Sequence, residues 1–153
     1  MIILSIFMFL CYNFHEILIK SEVKFMKLNP DCIRDILLTV EEFTDFTRHL
    51  HYRMNENTYP KLSNYSHEEI IYHVRQCSLS NLITKVSYYD AGESIAIQDL
   101  SPLGHNFLAD IRSDNIWEHT KTIAAKVGSV SLDALIQIST GVLTQIINKQ
   151  LGY

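Results

Sequence analysis

The chain has 153 residues, which suits one domain with terminal additions and leaves little room for two independent cores. Hydrophobic residues make up 47% and charged residues 20%, enough apolar material to bury a core and too much for a chain disordered by composition. The 13 Lys and Arg against 17 Asp and Glu give a formal charge of -4, which counts against strong nonspecific binding to DNA, and three cysteines, Cys11, Cys32 and Cys77, are too few and too scattered for a disulfide framework or a thiolate zinc site. A reducing, cytoplasmic setting is the simplest reading of that cysteine usage.

Residues 1–25 differ from the rest. The first twelve are almost purely apolar, but the run ends at Asn13, His15 and Glu16, short of the roughly 20 apolar residues a membrane span needs. A secretory signal has a basic start and a small-residue cleavage site, whereas the first Lys or Arg here is Lys20. Met26-Lys27-Leu28-Asn29-Pro30 opens directly into a capped helix, so translation from Met26 competes with a weak membrane anchor as the account of this extension. If the extension is made, its apolar face at Ile3, Phe7, Leu10 and Phe14 needs a core, a partner or a bilayer surface.

From Asn29 onward the chain reads as helices around one hairpin. Asn29 and Pro30 are a helix start, and Ile33, Ile36, Leu37 and Val40 repeat at helical spacing with Arg34, Asp35, Glu41 and Glu42 on the other face. Residues 43–64, rich in His, Tyr and Asn and closed by Tyr59-Pro60, read as an irregular connection with a short turn of helix. Ser66 and Glu69 form a capping box for a second helix carrying Ile70, Val74 and Cys77, which ends near Leu79 with Asn81 where a left-handed residue is wanted. Residues 82–89 and 94–100 alternate as two strands, Val86 and Tyr88 facing Ile95 and Ile97, with Asp90-Ala91-Gly92-Glu93 as the turn.

Ser101-Pro102 restarts a helix whose expected buried stripe is Leu103, Phe107, Leu108 and Ile111. Ile116, Trp117, Ile123, Ala124 and Val127 mark another that stops at Gly128. Ser131 caps the last, whose apolar positions from Leu132 to Ile147 form an unusually wide stripe. The expected core unites Ile33, Ile36, Leu37, Ile70, Val74, Leu82, Ile97, Leu103, Phe107 and Leu108.

A helix, a recognition-type helix, a Leu82-Ile83 step into a hairpin and then Leu100-Ser101-Pro102-Leu103-Gly104 follow the order of a winged helix-turn-helix. The segments 26–38, 65–83 and 99–117 together resemble a family of phage and bacterial proteins, the domain of unknown function 2513 family, over residues 26–126. Two positions depart from the family pattern, which has Gly where Asn81 stands and an aliphatic where Cys77 stands; Asn tolerates the left-handed region, and free Cys behaves as a small hydrophobe. The resemblance implies a winged-helix-like fold and a phage or prophage context, and no activity. The fold class is therefore mainly α with a small β-hairpin, a winged helix-turn-helix-like core over residues 26–112 and C-terminal helices over 113–153.

In that frame the helix from Ser66 to Leu79 would lie in a DNA major groove, with His67, Tyr72, Arg75, Gln76 and Ser78 facing outward and Lys85 as the basic residue of the hairpin. Glu68 and Glu69 read as cap and dipole partners, and the acidic hairpin tip would be repelled by phosphates. Two partner classes stand open: double-stranded DNA for a transcriptional regulator, or a host or phage protein for an accessory factor. His73 and Cys77 at i and i+4, with His49 and His51 nearby in sequence, could hold a metal, but no motif supplies further ligands, and His105 reads as a helix-start residue. No catalytic set, cofactor motif or phosphate-binding loop appears, so no enzyme, no cofactor and no metal are expected. The wide last stripe points to a homodimer through Leu135, Val142, Leu143, Ile146 and Ile147, with Gly141 allowing close backbone approach.

Overall fold

The computed structural model describes residues 26–56 and 59–152, so the expectations for the apolar segment 1–25 lie outside the described residues. Helix α1, Pro30–Phe43, starts as the Asn-Pro pair dictates: Asn29 is extended, its Oδ1 accepts the backbone N–H groups of Asp31 and Cys32, and Pro30 takes a first-turn position. Cys32, Ile33, Ile36, Leu37 and Val40 line its buried face.

The connection 43–64 is more ordered than its composition predicts. It carries strand β1, Leu50–Arg53, and a 3-10 turn at Pro60–Leu62. Leu50 is buried and Tyr52 half-buried against the core while His51 and Arg53 face solvent, an alternation over four residues that is too short to stand out from an irregular connection. The strand exists because a partner edge is available for its backbone groups.

Helix α2, His67–Leu79, begins at Ser66, whose hydroxyl accepts the Glu69 N–H at 3.3 Å. The reciprocal half of the expected capping box is diverted, since the Glu69 carboxylate accepts from Asn29 Nδ2 at 2.8 Å. Past the helix Asn81 takes a φ of 55°, and Leu82 N–H returns to the Cys77 carbonyl at 2.9 Å. That left-handed residue turns the chain into strand β2, Ile83–Tyr89, which pairs with β3, Ser94–Leu100, through a left-handed tip at Asp90–Gly92. Val86 faces Ile97 and Tyr88 faces Ile95, as the alternation predicts. On its other side β3 pairs with β1, Leu50 opposite Ile97, so the hairpin is enlarged to an antiparallel sheet of order β1-β3-β2.

Helix α3, Pro102–Ile111, is seated on the end of α2. Ser101 N–H donates to the Leu82 carbonyl at 3.0 Å, and the Ser101 hydroxyl donates to the Asn81 carbonyl and accepts Gly104 N–H. A Cβ on Gly104 would lie 1.9 Å from the Leu82 carbonyl oxygen, so only glycine allows this approach. Docking at Gly104 sets the rotation of the helix: Phe107, Leu108 and Ile111 point inward, and Leu103, expected in the core, is left 41% exposed.

Helices α4, Asp114–Val127, and α5, Leu132–Leu151, complete the chain, with Gly128 left-handed between them. One hydrophobic cluster runs from Cys32 and Ile33 through Val74, Ile97 and Phe107 to Trp117, Ala124 and Leu135. The residues of the expected dimer face differ in exposure. Leu135 is fully buried and Val142 nearly so inside a single chain, while Leu143 and Ile146 are half-buried and Ile147 is exposed. Packing within the chain uses the inner part of the wide stripe, so Leu135 and Val142 have no surface to offer a second copy. Among the described residues no helix is long and apolar enough to cross a membrane.

Candidate interaction site

The inner face of α2 carries Ile70, His73, Val74 and Cys77, all buried. The sequence pairs His73 with Cys77; the fold instead gathers His73, Cys32 and Glu69, whose ligand-type atoms lie within 4.8 Å of one another. Both His73 nitrogens and one Glu69 oxygen are already engaged. Asn29 N–H donates to His73 Nε2 at 2.7 Å, His73 Nδ1 bonds the Glu69 carbonyl at 2.7 Å, and Asn29 Nδ2 holds the Glu69 carboxylate. Because Nε2 must accept, the ring is the tautomer with its proton on Nδ1. A metal ion would have to displace the Asn29 N–H from His73, so this donor set fits a structural lock between α1 and α2 better than a metal centre.

The two described thiols are unsuited to nucleophilic work. Burial pushes the Cys77 thiol up to about 12, and burial reinforced by the Glu69 charge raises that of Cys32 further.

The outer face of α2 meets the hairpin in a shallow hollow lined by Ile71, Arg75, Ser78, Leu79, Tyr88, Ala91 and Gly92. Of the sequence-derived DNA-contact residues, Arg75 and Ser78 lie here. His67 lies elsewhere, in a second hollow between β1 and the start of α2, stacked on Tyr52 with the Tyr52 hydroxyl 3.3 Å from Nδ1. Tyr72 and Gln76, one turn apart, occupy a neighbouring flank of α2, where Tyr72 packs edge-on against the His73 ring. Lys85 is exposed on β2 at a φ of 26°, and the β2–β3 pairing skips it. The six residues therefore do not form one surface.

Ile71, Leu79 and Tyr88 are the members of this hollow that sequence reasoning missed. Leu79 is 69% and Tyr88 46% exposed. A signal was present, because Ile71, Arg75 and Leu79 recur at i, i+4 and i+8 in a row that runs from the edge of the Ile70, Val74 and Cys77 stripe to the exposed side. Arg34, Arg48, Arg53 and Arg112 each meet a carboxylate, whereas Arg75 has no ion-pair partner among the described residues. Burial raises the Tyr88 hydroxyl and the Arg75 guanidinium pulls against it.

A family model described as "Hypothetical protein (DUF2513)" matches residues 27–131 of the chain. A protein of Haemophilus influenzae described as "Uncharacterized protein" is 30% identical over 124 residues, covering 80% of this chain and 99% of the relative. No solved structure matches significantly.

Proposed function

We propose, for a chain that belongs to the DUF2513 family of hypothetical proteins, a protein-binding and non-enzymatic role carried by a winged-helix-like core. The order α1, β1, helical turn, α2, β2, β3 with sheet order β1-β3-β2 supports the winged-helix-like assignment, with α2 as the recognition-type helix and the hairpin as the wing. One departure is that the element before α2 is a single 3-10 turn rather than a full helix.

The observation that carries the protein-binding reading is the make-up of the face that α2 and the hairpin turn outward. Leu79 and Tyr88 are exposed there, and Arg75 is the one Lys or Arg among the residues lining the hollow. Aromatic and aliphatic side chains around a lone arginine are the composition of a protein-contact patch, whereas a duplex needs several cations against its phosphates. The phage context implied by the family resemblance makes a phage or host protein the expected partner. The non-enzymatic part is supported by the raised thiols and by the engagement of both His73 ring nitrogens.

DNA binding is the second reading, favoured by the exposed Arg75 beside Ser78 on the recognition-type helix. Fluorescence anisotropy with labelled duplexes at about 50 and about 200 mM salt separates the two, since phosphate contacts weaken steeply over that range. The expected result is no duplex binding at either salt, together with enrichment of ligands from a random 12-residue peptide library on the immobilised full chain. Salt-sensitive duplex binding, or a library from which nothing is enriched, would remove the protein-binding reading.

A further inference from the structure

We infer that the hollow between α2 and the hairpin tip receives a segment of a partner protein that sets a carboxylate on Arg75 and an aliphatic or aromatic side chain among Ile71, Leu79 and Tyr88. This rests on the protein-binding reading and adds the chemistry of the occupant. Three observations carry it. Arg75 stands between Ile71 and Leu79 on one face of α2 and lacks the carboxylate that Arg34, Arg48, Arg53 and Arg112 each have. Around it, Leu79 and Tyr88 keep 69% and 46% of their surface in water. Finally, the acidic groups of the hairpin do not reach Arg75: Asp90 is taken by Arg53 at 3.4 Å and by the Ser94 hydroxyl at 3.3 Å.

An arginine ringed by apolar surface is a strong anchor. Once a partner covers Leu79 and Tyr88, the Arg75–carboxylate contact is partly withdrawn from water, where a charge-assisted hydrogen bond gains strength. Arginine and tyrosine are also the side chains that concentrate binding energy at protein interfaces. Addition of a partner strand along the free edge of β2 is the rival geometry within the same partner class. Lys85 works against it, because its φ of 26° departs from extended backbone and its charge stands on that edge. Occupancy of the hollow needs no regular edge.

The test uses the same random 12-residue peptide library, selected on the full chain and in parallel on its Arg75→Glu variant. Arg75 makes no described ion pair and is exposed, so the variant should keep the native fold, which circular dichroism and an unchanged Tm confirm. Peptides enriched on the parent chain should pair Asp or Glu with Leu, Ile, Phe or Trp within a few positions. They should bind Arg75→Glu at least about tenfold more weakly, and Leu79→Ser should weaken them similarly. Enriched peptides without acidic residues, or equal binding to Arg75→Glu, would overturn this site while leaving the protein-binding role intact. A library that enriches nothing would overturn both.

Discussion

The backbone N–H of Asn29 donates to Nε2 of His73 at 2.7 Å, so the residue that caps α1 is also held by the middle of α2. His73 is fully buried and its other ring nitrogen is engaged by the Glu69 carbonyl. Replacing the ring by an apolar one of similar size removes the acceptor and leaves a buried donor unpaired. His73→Phe should therefore cost about 1 to 3 kcal/mol in urea unfolding. Asn29→Ala keeps the backbone bond and loses only the side-chain cap and its contact with Glu69, so its cost should be nearer 1 kcal/mol. If His73→Phe proves as stable as the parent, the Asn29–His73 lock is not a structural determinant.

Two glycines should respond in opposite directions to alanine. At Gly104 the new Cβ would meet the Leu82 carbonyl at 1.9 Å, and the seat of α3 on the α2–β2 junction cannot yield without breaking the Ser101 bonds. Gly104→Ala should destabilise by about 3 kcal/mol or more. Gly141 lies within α5 with nothing within 4 Å of a built Cβ, so Gly141→Ala should stabilise by roughly 0.5 to 1 kcal/mol. Thermal unfolding of both variants beside the parent checks the pair, and a loss of stability in Gly141→Ala would point to a close neighbour at that position.

Acid should loosen the junction of α1 with α4. Burial tends to raise the Asp31 carboxyl, but hydrogen bonds from the Lys121 ammonium and the Trp117 indole N–H outweigh it and hold the group below the usual carboxylate value. A folded-state value below the unfolded one contributes stability that is complete above about pH 4 and is lost as pH falls through the folded value. Glu41, held down chiefly by its hydrogen bond from Arg112, acts in the same direction. Asp31→Asn should be less stable than the parent at pH 7, and the gap should narrow below about pH 4. Trp117, the chain's single tryptophan and nearly fully buried, reports the transition directly by fluorescence. A gap that stays constant down to pH 2 would show that the charge on Asp31 adds nothing.

Cys32 and Cys77 should be silent toward thiol reagents in the native state. Both are buried and their thiols are held protonated by burial. In a Cys11→Ser background, Ellman's reagent should release no colour on mixing and two equivalents after denaturation. Rapid native labelling of either would mean that α1 and α2 separate readily.

Local chemistry made much of the fold legible in the sequence. Asn29-Pro30, Ser66, Ser101-Pro102 and Ser131 each begin a helix, Asn81 turns left-handed, and residues 90–93 close the hairpin, because caps and turns depend on groups a few residues apart. Apolar periodicity likewise identified nearly every expected core residue. The proposed interaction surface was only partly readable: Arg75 and Ser78 stood out as exposed polar residues, while Leu79 and Tyr88 looked like ordinary apolar positions until their neighbours were known.

Tertiary structure decided the rest. Strand β1 forms because β3 offers it an edge, Leu103 is turned outward because Gly104 must meet Leu82, and Leu135 and Val142 are covered because α5 folds back on α4 and α3. The Glu69 carboxylate leaves its own helix start for Asn29, forty residues away in sequence. A spacing rule describes one element, whereas the partner of a backbone edge, a buried ring nitrogen or an apolar face is chosen by elements that meet only when the chain has folded.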